Sequence, residues 1–158
     1  MSIRLAQKKD IPALKKLLNQ IFQVHAQARP DLFKQKEEGS KFSEIELKEL
    51  LQNELKPIFV YVDEKDQVLA HLFLTIQETK ESKILKAVKT LFIEDLCVSE
   101  ESRGQKIGLK LYHFAEEYAR DKGCYNLTLN VWNANKDALK FYEHLGLSAK
   151  KTEMEKIL

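Results

Sequence analysis

The sequence is sparing with the residues that mark special chain classes: two cysteines, one tryptophan, three prolines and five glycines in 158 residues. Two thiols, Cys97 and Cys124, are too few for a disulfide-built mini-protein and read as reduced core cysteines of a cytoplasmic chain. So little glycine and proline excludes a collagen-like fibre, and 44% hydrophobic against 32% charged residues excludes a disordered chain. Long apolar runs are also missing. The longest, Val68 to Ile76, falls far short of the roughly 20 residues a membrane span needs, and His71 interrupts it. The opening MSIRLAQKKD has no apolar core or small-residue cleavage site, so no secretory leader is expected. Nor does one charge sign prevail. Twenty-six basic against 24 acidic residues give +2, too even to make nucleic acid or an anionic membrane the main partner. His71, His113 and His144 lack metal-ligand spacing, so no metal site is expected. What remains is a chain the size of one domain, residues 1–158.

Ile3 to Ala6 reads as a short first strand. Asp10 and Pro12 mark a helix start, with Asp10 able to cap free amides and proline tolerated in the first turn. Ile11, Leu14, Leu17, Leu18, Ile21 and Phe22 then recur at helical spacing, and Arg29-Pro30 stops the helix. A second helix begins at Ser43, where Ser43-Glu44-Ile45-Glu46 fits a capping box, and ends before Pro57. Ile58–Val62 and Val68–Ile76 form a predicted hairpin around a polar turn, followed by a lysine-rich loop or frayed strand end to residue 89. Thr90–Val98 is strand, Ile107–Lys122 an amphipathic helix stopped by Gly123, and Asn126–Val131 strand. A helix over Asn135–Leu145 stops at Gly146, and Leu147–Ile157 is expected to close the sheet as a last strand. The order β-α-α-β-β-β-α-β-α-β predicts an α/β (α+β) mixed sheet with helices on its faces.

The segment from Phe92 to Gly108 is the most informative, because a strand enters a glycine-bearing turn that leads directly into a helix. Such a junction aims unpaired N–H groups and the positive end of a helix dipole at one spot, a ready seat for a diphosphate. Gly104 and Gly108 let backbone approach the anion, and Arg103 can add a fixed positive charge. Further on, Asn126 to Gly146 sets a strand, an asparagine-rich cap and a short helix in sequence.

Together these segments resemble the GNAT superfamily of N-acetyltransferases, strongly over about residues 58–158 and by element order alone before that. Arg103, Gly104, Gln105, Ile107 and Gly108 fit the family's turn pattern, and Phe141-Tyr142-Glu143-His144-Leu145-Gly146-Leu147 fits its closing signature. Lys106 departs from the pattern, standing where the first motif glycine belongs. A left-handed backbone there costs lysine about 1 kcal/mol or more. A helical Lys106 still donates its amide and can bring its ammonium toward a phosphate; the helical form is the expectation, since the segment is able to start a helix.

The resemblance implies a mostly antiparallel twisted sheet with one splayed strand pair, acetyl-CoA as acetyl donor, and direct attack by an amine in a ternary complex. It implies that Leu96, Cys97 and Val98 meet the pantetheine arm, that Arg103 to Leu109 (Arg103, Gly104, Gln105, Lys106, Ile107, Gly108, Leu109) hold the diphosphate, and that Asn135 and Ala138 lie along the arm. Tyr142 is the implied proton donor to the departing thiolate, or else a half-buried aromatic of the stripe Ala138, Phe141, Tyr142, Leu145. Asn135, two helical turns before it and about 10 Å away, contacts the arm, caps its helix, or both.

Glu94 is the implied base, as in diamine-acetyltransferase-like members, or else a strand-edge acid in a surface ion pair, with Asp95 as the substitute base. Strand alternation sets Glu94, Leu96 and Val98 on one face and Asp95 and Cys97 on the other, unless a bulge intervenes. Cys97 has no histidine placed to activate it and reads as a buried thiol. His25, Arg29 and Asp31 could meet a substrate, but the reading preferred for them is a solvated loop between the two helices, and Trp132 is expected to pack at a strand end. The expected acceptor is a small primary amine, polyamine-like or an amino sugar. A protein amino group and an inactive CoA-binding regulatory module are the alternatives, and a homodimer through the closing strand and its preceding helix is possible.

Overall fold

All five residues from Ile58 to Val62 are buried, although alternate side chains of a strand point opposite ways. Both faces of the sheet must therefore be covered, and they are. A computed structural model describes residues 1–158 as β1 (Ser2–Leu5), α1 (Ile11–Ala28), α2 (Glu44–Leu50), β2 (Ile58–Val62), β3 (Val68–Thr79), β4 (Val88–Val98), α3 (Ile107–Asp121), β5 (Asn126–Leu129) and α4 (Lys136–His144). The strands form one mixed sheet in the order β1-β2-β3-β4-β5, antiparallel except for the parallel pair β4–β5. On one face Ile58, Val60, Val62 and Phe73 pack with Ile11, Leu14 and Leu18 of α1 and Leu47 of α2. On the other, Phe59, Leu72, Leu74, Leu91 and Ile93 pack with Ile107, Leu111 and Ala115 of α3. Tyr142 and Leu145 of α4 join that second layer.

Local chemistry accounts for most boundaries. The Ser43 hydroxyl accepts from the Glu46 amide at 3.1 Å while the Glu46 carboxylate accepts from the Ser43 amide at 3.2 Å, the box the sequence predicts. Asp10 behaves differently from the expectation. Its carboxylate makes no cap on α1 and instead accepts from the Gln7 amide at 2.7 Å and from both Arg4 terminal nitrogens at 2.8 and 3.0 Å. Burial to 4% exposure makes that bidentate partner necessary, and it draws the carboxylate one turn back. The β3–β4 hairpin is also longer than predicted, with Thr79 paired to Val88.

The expected closing strand does not form. From Leu147 onward the chain has no strand pairing, and residues 148–158 are exposed. Leu147 alone packs on the core, and Glu155 is tied to Arg29 at 2.7 Å. The reason is compositional: a segment with Lys150, Lys151, Glu153, Glu155 and Lys156 offers no continuous apolar face, and the neighbouring edge strand β5 is only four residues long.

One irregularity positions the site. The β3–β4 register runs Leu74 to Ile93 and then Phe73 to Asp95, leaving Glu94 as an extra residue on β4. This bulge reverses the alternation. Leu91 and Ile93 lie in the α3-side layer, and so do Leu96 and Val98 beyond the bulge.

Candidate active site

β4 and β5 are paired only from Thr90–Asn126 to Ile93–Leu129; beyond that β4 continues to Val98 paired with β3 but with no strand on its other edge. The Ser99 amide donates to Leu69 O at 2.8 Å, which fixes which residues of β4 point toward β3. Alternation then turns the amides of Leu96 and Val98 to the open edge, while that of Cys97 is spent on β3. These are freed donors beside the splay.

The turn after β4 is richer still in donors. None of the six consecutive amides of residues 104–109 has an acceptor in the protein, the first bond of the helix start being Lys110 N–H to Lys106 O at 3.1 Å. Gly104 has φ +83°, and a Cβ there would meet open space. At Gly108 a Cβ would meet only ordinary contacts, 3.6 Å from Phe141 Cζ and Val98 Cγ2 and 3.9 Å from Leu96. Those distances bring α4, the start of α3 and the open edge of β4 around one point. Ile107, 1% exposed, anchors the helix start in the core, Leu109 is half-buried, and Arg103, Gln105 and Lys106 stand exposed. A row of free amides in a left-handed concavity at a helix N-terminus is the donor set of a diphosphate seat, so the residues present fit coenzyme A.

Lys106 corrects the expectation made for it. It is not helical but the left-handed N-cap of α3, φ 59° and ψ 24°. The cause is the turn itself: the chain must reverse between Gly104 and Ile107 with its amides converging, and a residue in the left-handed region achieves that.

On the α1 face of the open strand lies a cavity of about 530 Å³, within the usual range for small-ligand sites. Glu94 and Asp95 both line it, which simple alternation forbids and the bulge permits. Its other walls are Phe22 and His25 from α1, Trp132 after β5, and the loop between α1 and α2 with Phe33, Lys34, Lys36 and Lys41. His25 stacks on Phe33 at 5.3 Å, and Phe33 meets Trp132 edge-on at 5.7 Å. The two carboxylates differ in their partners. Glu94 is paired with the Lys41 ammonium, whereas Asp95 Oδ2 lies 3.0 Å from Nε2 of the fully buried His71. Of His25, Arg29 and Asp31, only His25, on the last turns of α1 rather than in a loop, enters the cavity; Arg29 is engaged by Asp31 and Glu155 and lies over Trp132. Burial pushes the His25 imidazole below its ordinary value, with Asp95 opposing and Lys41 reinforcing that shift.

Tyr142 sits on α4 against Phe141 and Tyr112. Burial first, then the charge of Asp95, raises its phenol well above the ordinary range, so it stays protonated. Cys97 is similarly pushed up to about 12 by burial, then by Asp95, and its Sγ donates to Leu17 O at 3.6 Å, so it is no thiolate nucleophile. Asn135 caps α4 by accepting from the Ala138 amide at 3.2 Å.

The parted strand β4 lines the cavity with Glu94 and Asp95 and leads at its far end into the turn of free amides. The sequence matches the model of the acetyltransferase (GNAT) family over residues 14–147. The chain belongs to the GNAT acetyltransferase family. The family's acetyl donor is acetyl-CoA, which accords with the fit of the turn at 104–109. This GNAT chain is 43% identical over 58 residues to the thialysine N-ε-acetyltransferase of Bos taurus, covering 37% of this chain and 34% of that protein. It is 36% identical over 64 residues to the glucosamine 6-phosphate N-acetyltransferase of Arabidopsis thaliana, 40% of this chain and 41% of that one. The matches thus span between a third and two fifths of those curated relatives. Among solved structures, a mutant of the BH1408 protein of Bacillus halodurans superposes with a TM-score of 0.94 at 28% identity, over 100% of this chain and 99% of that one. An aminoglycoside N-acetyltransferase in complex with CoA shares the fold, with a TM-score of 0.70 at 14% identity over 99% and 98%.

The sequence offered little sign of the cavity. Phe22, Phe33, Lys34, Lys36 and Lys41 carry no motif, and only the run of aromatics and lysines between the first two helices could have drawn notice.

Proposed function

We propose that this GNAT chain transfers the acetyl group of acetyl-CoA to a primary amine of a small molecule by direct attack in a ternary complex. The observation that carries this reading is the meeting, at the open edge of β4, of a free-amide turn on one side and a carboxylate-lined cavity on the other. Acetyl-CoA supplies an acyl carbon activated as a thioester. The amides of residues 104–109 bind its diphosphate, Leu96 and Val98 offer N–H groups to the pantetheine arm, and Asn135 and Ala138 flank the arm. An amine must lose a proton to attack. Asp95 serves better than Glu94 as its acceptor, because Lys41 already neutralises Glu94. Tyr142 donates a hydrogen bond to the departing sulfur. Its phenol, raised further above a thiol near 8.5, keeps its proton and stabilises the negative sulfur through that hydrogen bond. The proton taken from the amine leaves through Asp95 to solvent, from which the thiolate is reprotonated.

Thiol release from acetyl-CoA across amines, amino acids, amino sugars and peptides tests this directly. Release that depends on a small amine, with no burst in its absence, is the expected result. Preference for peptide amines would move the acceptor to a protein. Thermal stabilisation by acetyl-CoA without release from any acceptor would leave a CoA-binding regulatory module instead.

The family match over 14–147 and the single sheet support reading 1–158 as one domain. Two free cysteines and balanced charge support a cytoplasmic chain, and no helix is long and apolar enough to cross a membrane. Two features support a homodimer: Met154, Ile157 and Leu158 of the carboxy-terminal arm are exposed, and the β5 edge of the sheet is unpaired. Sedimentation of the full chain against a chain ending at residue 147 tests the pairing.

A further inference from the structure

The cavity at the open strand is electrically two-ended, and its charges come from different elements. The sheet contributes Glu94 and Asp95; the loop between α1 and α2 contributes Lys34, Lys36 and Lys41. Lys41 and Glu94 cancel as an ion pair. What remains is one carboxylate in the interior, Asp95, at 13% side-chain exposure, and two exposed ammonium groups, Lys34 and Lys36, neither of which forms an ion pair. The loop that carries them is fastened rather than free. Gln23 Nε2 donates to the carbonyls of Lys36 and Glu37 at 3.1 and 3.0 Å, and Asn19 Oδ1 accepts from the Gly39 amide at 2.9 Å. Gly39 is pressed so closely on Phe22 that a Cβ would lie 2.4 Å from the ring. Lys34 and Lys36 of this anchored loop line the cavity, while Glu37 and Glu38 take no part in its lining.

We propose that the acceptor is a zwitterionic amine: an ammonium or amine that enters toward Asp95 and an oxyanion, carboxylate or phosphate, held at the mouth by Lys34 and Lys36. The proposal rests on the acetyl-transfer reading and narrows its substrate class. A polyamine would bring a second cation against two unpaired lysines, where like charges repel, whereas an oxyanion there gains two charge-assisted contacts. The apolar and aromatic walls of the same cavity, Ile21, Phe22 and Phe33, suit the hydrocarbon or ring that joins the substrate's two groups.

Matched acceptors test the idea. Thiol release from acetyl-CoA is measured with 6-aminohexanoate against hexylamine and cadaverine, and with a 6-phosphorylated amino sugar against its unphosphorylated parent. At least about a tenfold higher kcat/KM for the anionic member of a pair is expected, and which pair shows it tells carboxylate from phosphate. In the double variant Lys34→Gln/Lys36→Gln the gap between paired acceptors narrows about tenfold through KM, and added salt narrows it in the wild type too. Equal rates within both pairs, a preference for cadaverine, or an unchanged gap in the double variant would overturn the proposal. Acceptor binding to the CoA complex, followed by calorimetry, reads the same preference without turnover. If no acceptor releases thiol but the anionic ones bind and the double variant binds them more weakly, the transfer reading fails and the charge reading stands.

Discussion

His71 Nε2 lies 3.0 Å from Asp95 Oδ2, with His71 wholly inaccessible and its Nδ1 buried without a partner. An ionised Asp95 requires the proton on Nε2, so the ring is held in one tautomer and the carboxylate in one rotamer. An unpartnered buried nitrogen costs about 1–3 kcal/mol, and fixing Asp95 is a reason to retain it. Asp95→Asn is expected to lower kcat about 100-fold or more, and Glu94→Gln far less, because Lys41 already holds Glu94. With Asp95 as the proposed base, the role proposed for His71 is that of a positioning residue acting through it. His71→Phe is expected to lower kcat with the KM for acetyl-CoA unchanged, and His71→Gln, which keeps a donor, to recover part of it. Equal losses in Glu94→Gln and Asp95→Asn would return the base to Glu94.

The Tyr142 ring packs on Phe141 and Tyr112 while its hydroxyl makes no hydrogen bond within the protein. Tyr142→Phe keeps the packing and removes only the donor. A fall in kcat of about 10- to 100-fold with the melting temperature within a degree or two is expected. A purely structural tyrosine would leave kcat unchanged.

Gly104 and Gly108 separate conformation from approach. Gly104→Ala strains a backbone at φ +83°, so both stability and coenzyme affinity should fall. Gly108→Ala meets only contacts of 3.6 Å and beyond, so stability should hold while the KM for acetyl-CoA rises. Thermal melts paired with acetyl-CoA titrations decide between these outcomes.

Lys106 occupies a left-handed conformation that a side chain opposes. Lys106→Gly should stabilise the protein by about 1 kcal/mol, an increase in melting temperature of a few degrees, less whatever glycine loses through its freer unfolded chain. A fall in stability would mean that the lysine side chain holds the turn.

His25 links the cavity to pH. Its native imidazole resists protonation through burial, while the unfolded chain takes up the proton near 6.5. The unfolded state therefore binds more protons below that value. This residue's contribution is complete above pH 6.5 and declines as pH falls through 6.5 toward the depressed native value. Melting curves between pH 7.5 and 5 should show a smaller decline in His25→Phe, which keeps the stack on Phe33.

Residues close in sequence made much of the fold legible. The Ser43 capping box, the apolar face Ile11, Leu14, Leu18 and the strand run Ile58–Val62 declare themselves because capping and periodicity act over a few residues. The turn from Arg103 to Gly108 was legible for the same reason, although the left-handed state of Lys106 was not, being imposed by the turn as a whole. The position of Glu94 beside Asp95 was hidden, since a bulge arises from pairing with β3 and one extra residue reverses every face beyond it. The last segment misled, because a strand needs a partner edge as well as a pattern.

By itself the sequence determined the helices, the five strands that form and the free-amide turn, because hydrogen bonds between near neighbours and apolar periodicity are written along the chain. Only the tertiary structure decided which carboxylate is left unneutralised, which lysines face the cavity, and where Trp132 and His25 stand. Those relations join residues dozens of positions apart, and nothing but the packing of α1 and its loop against the splayed β4 brings them within reach.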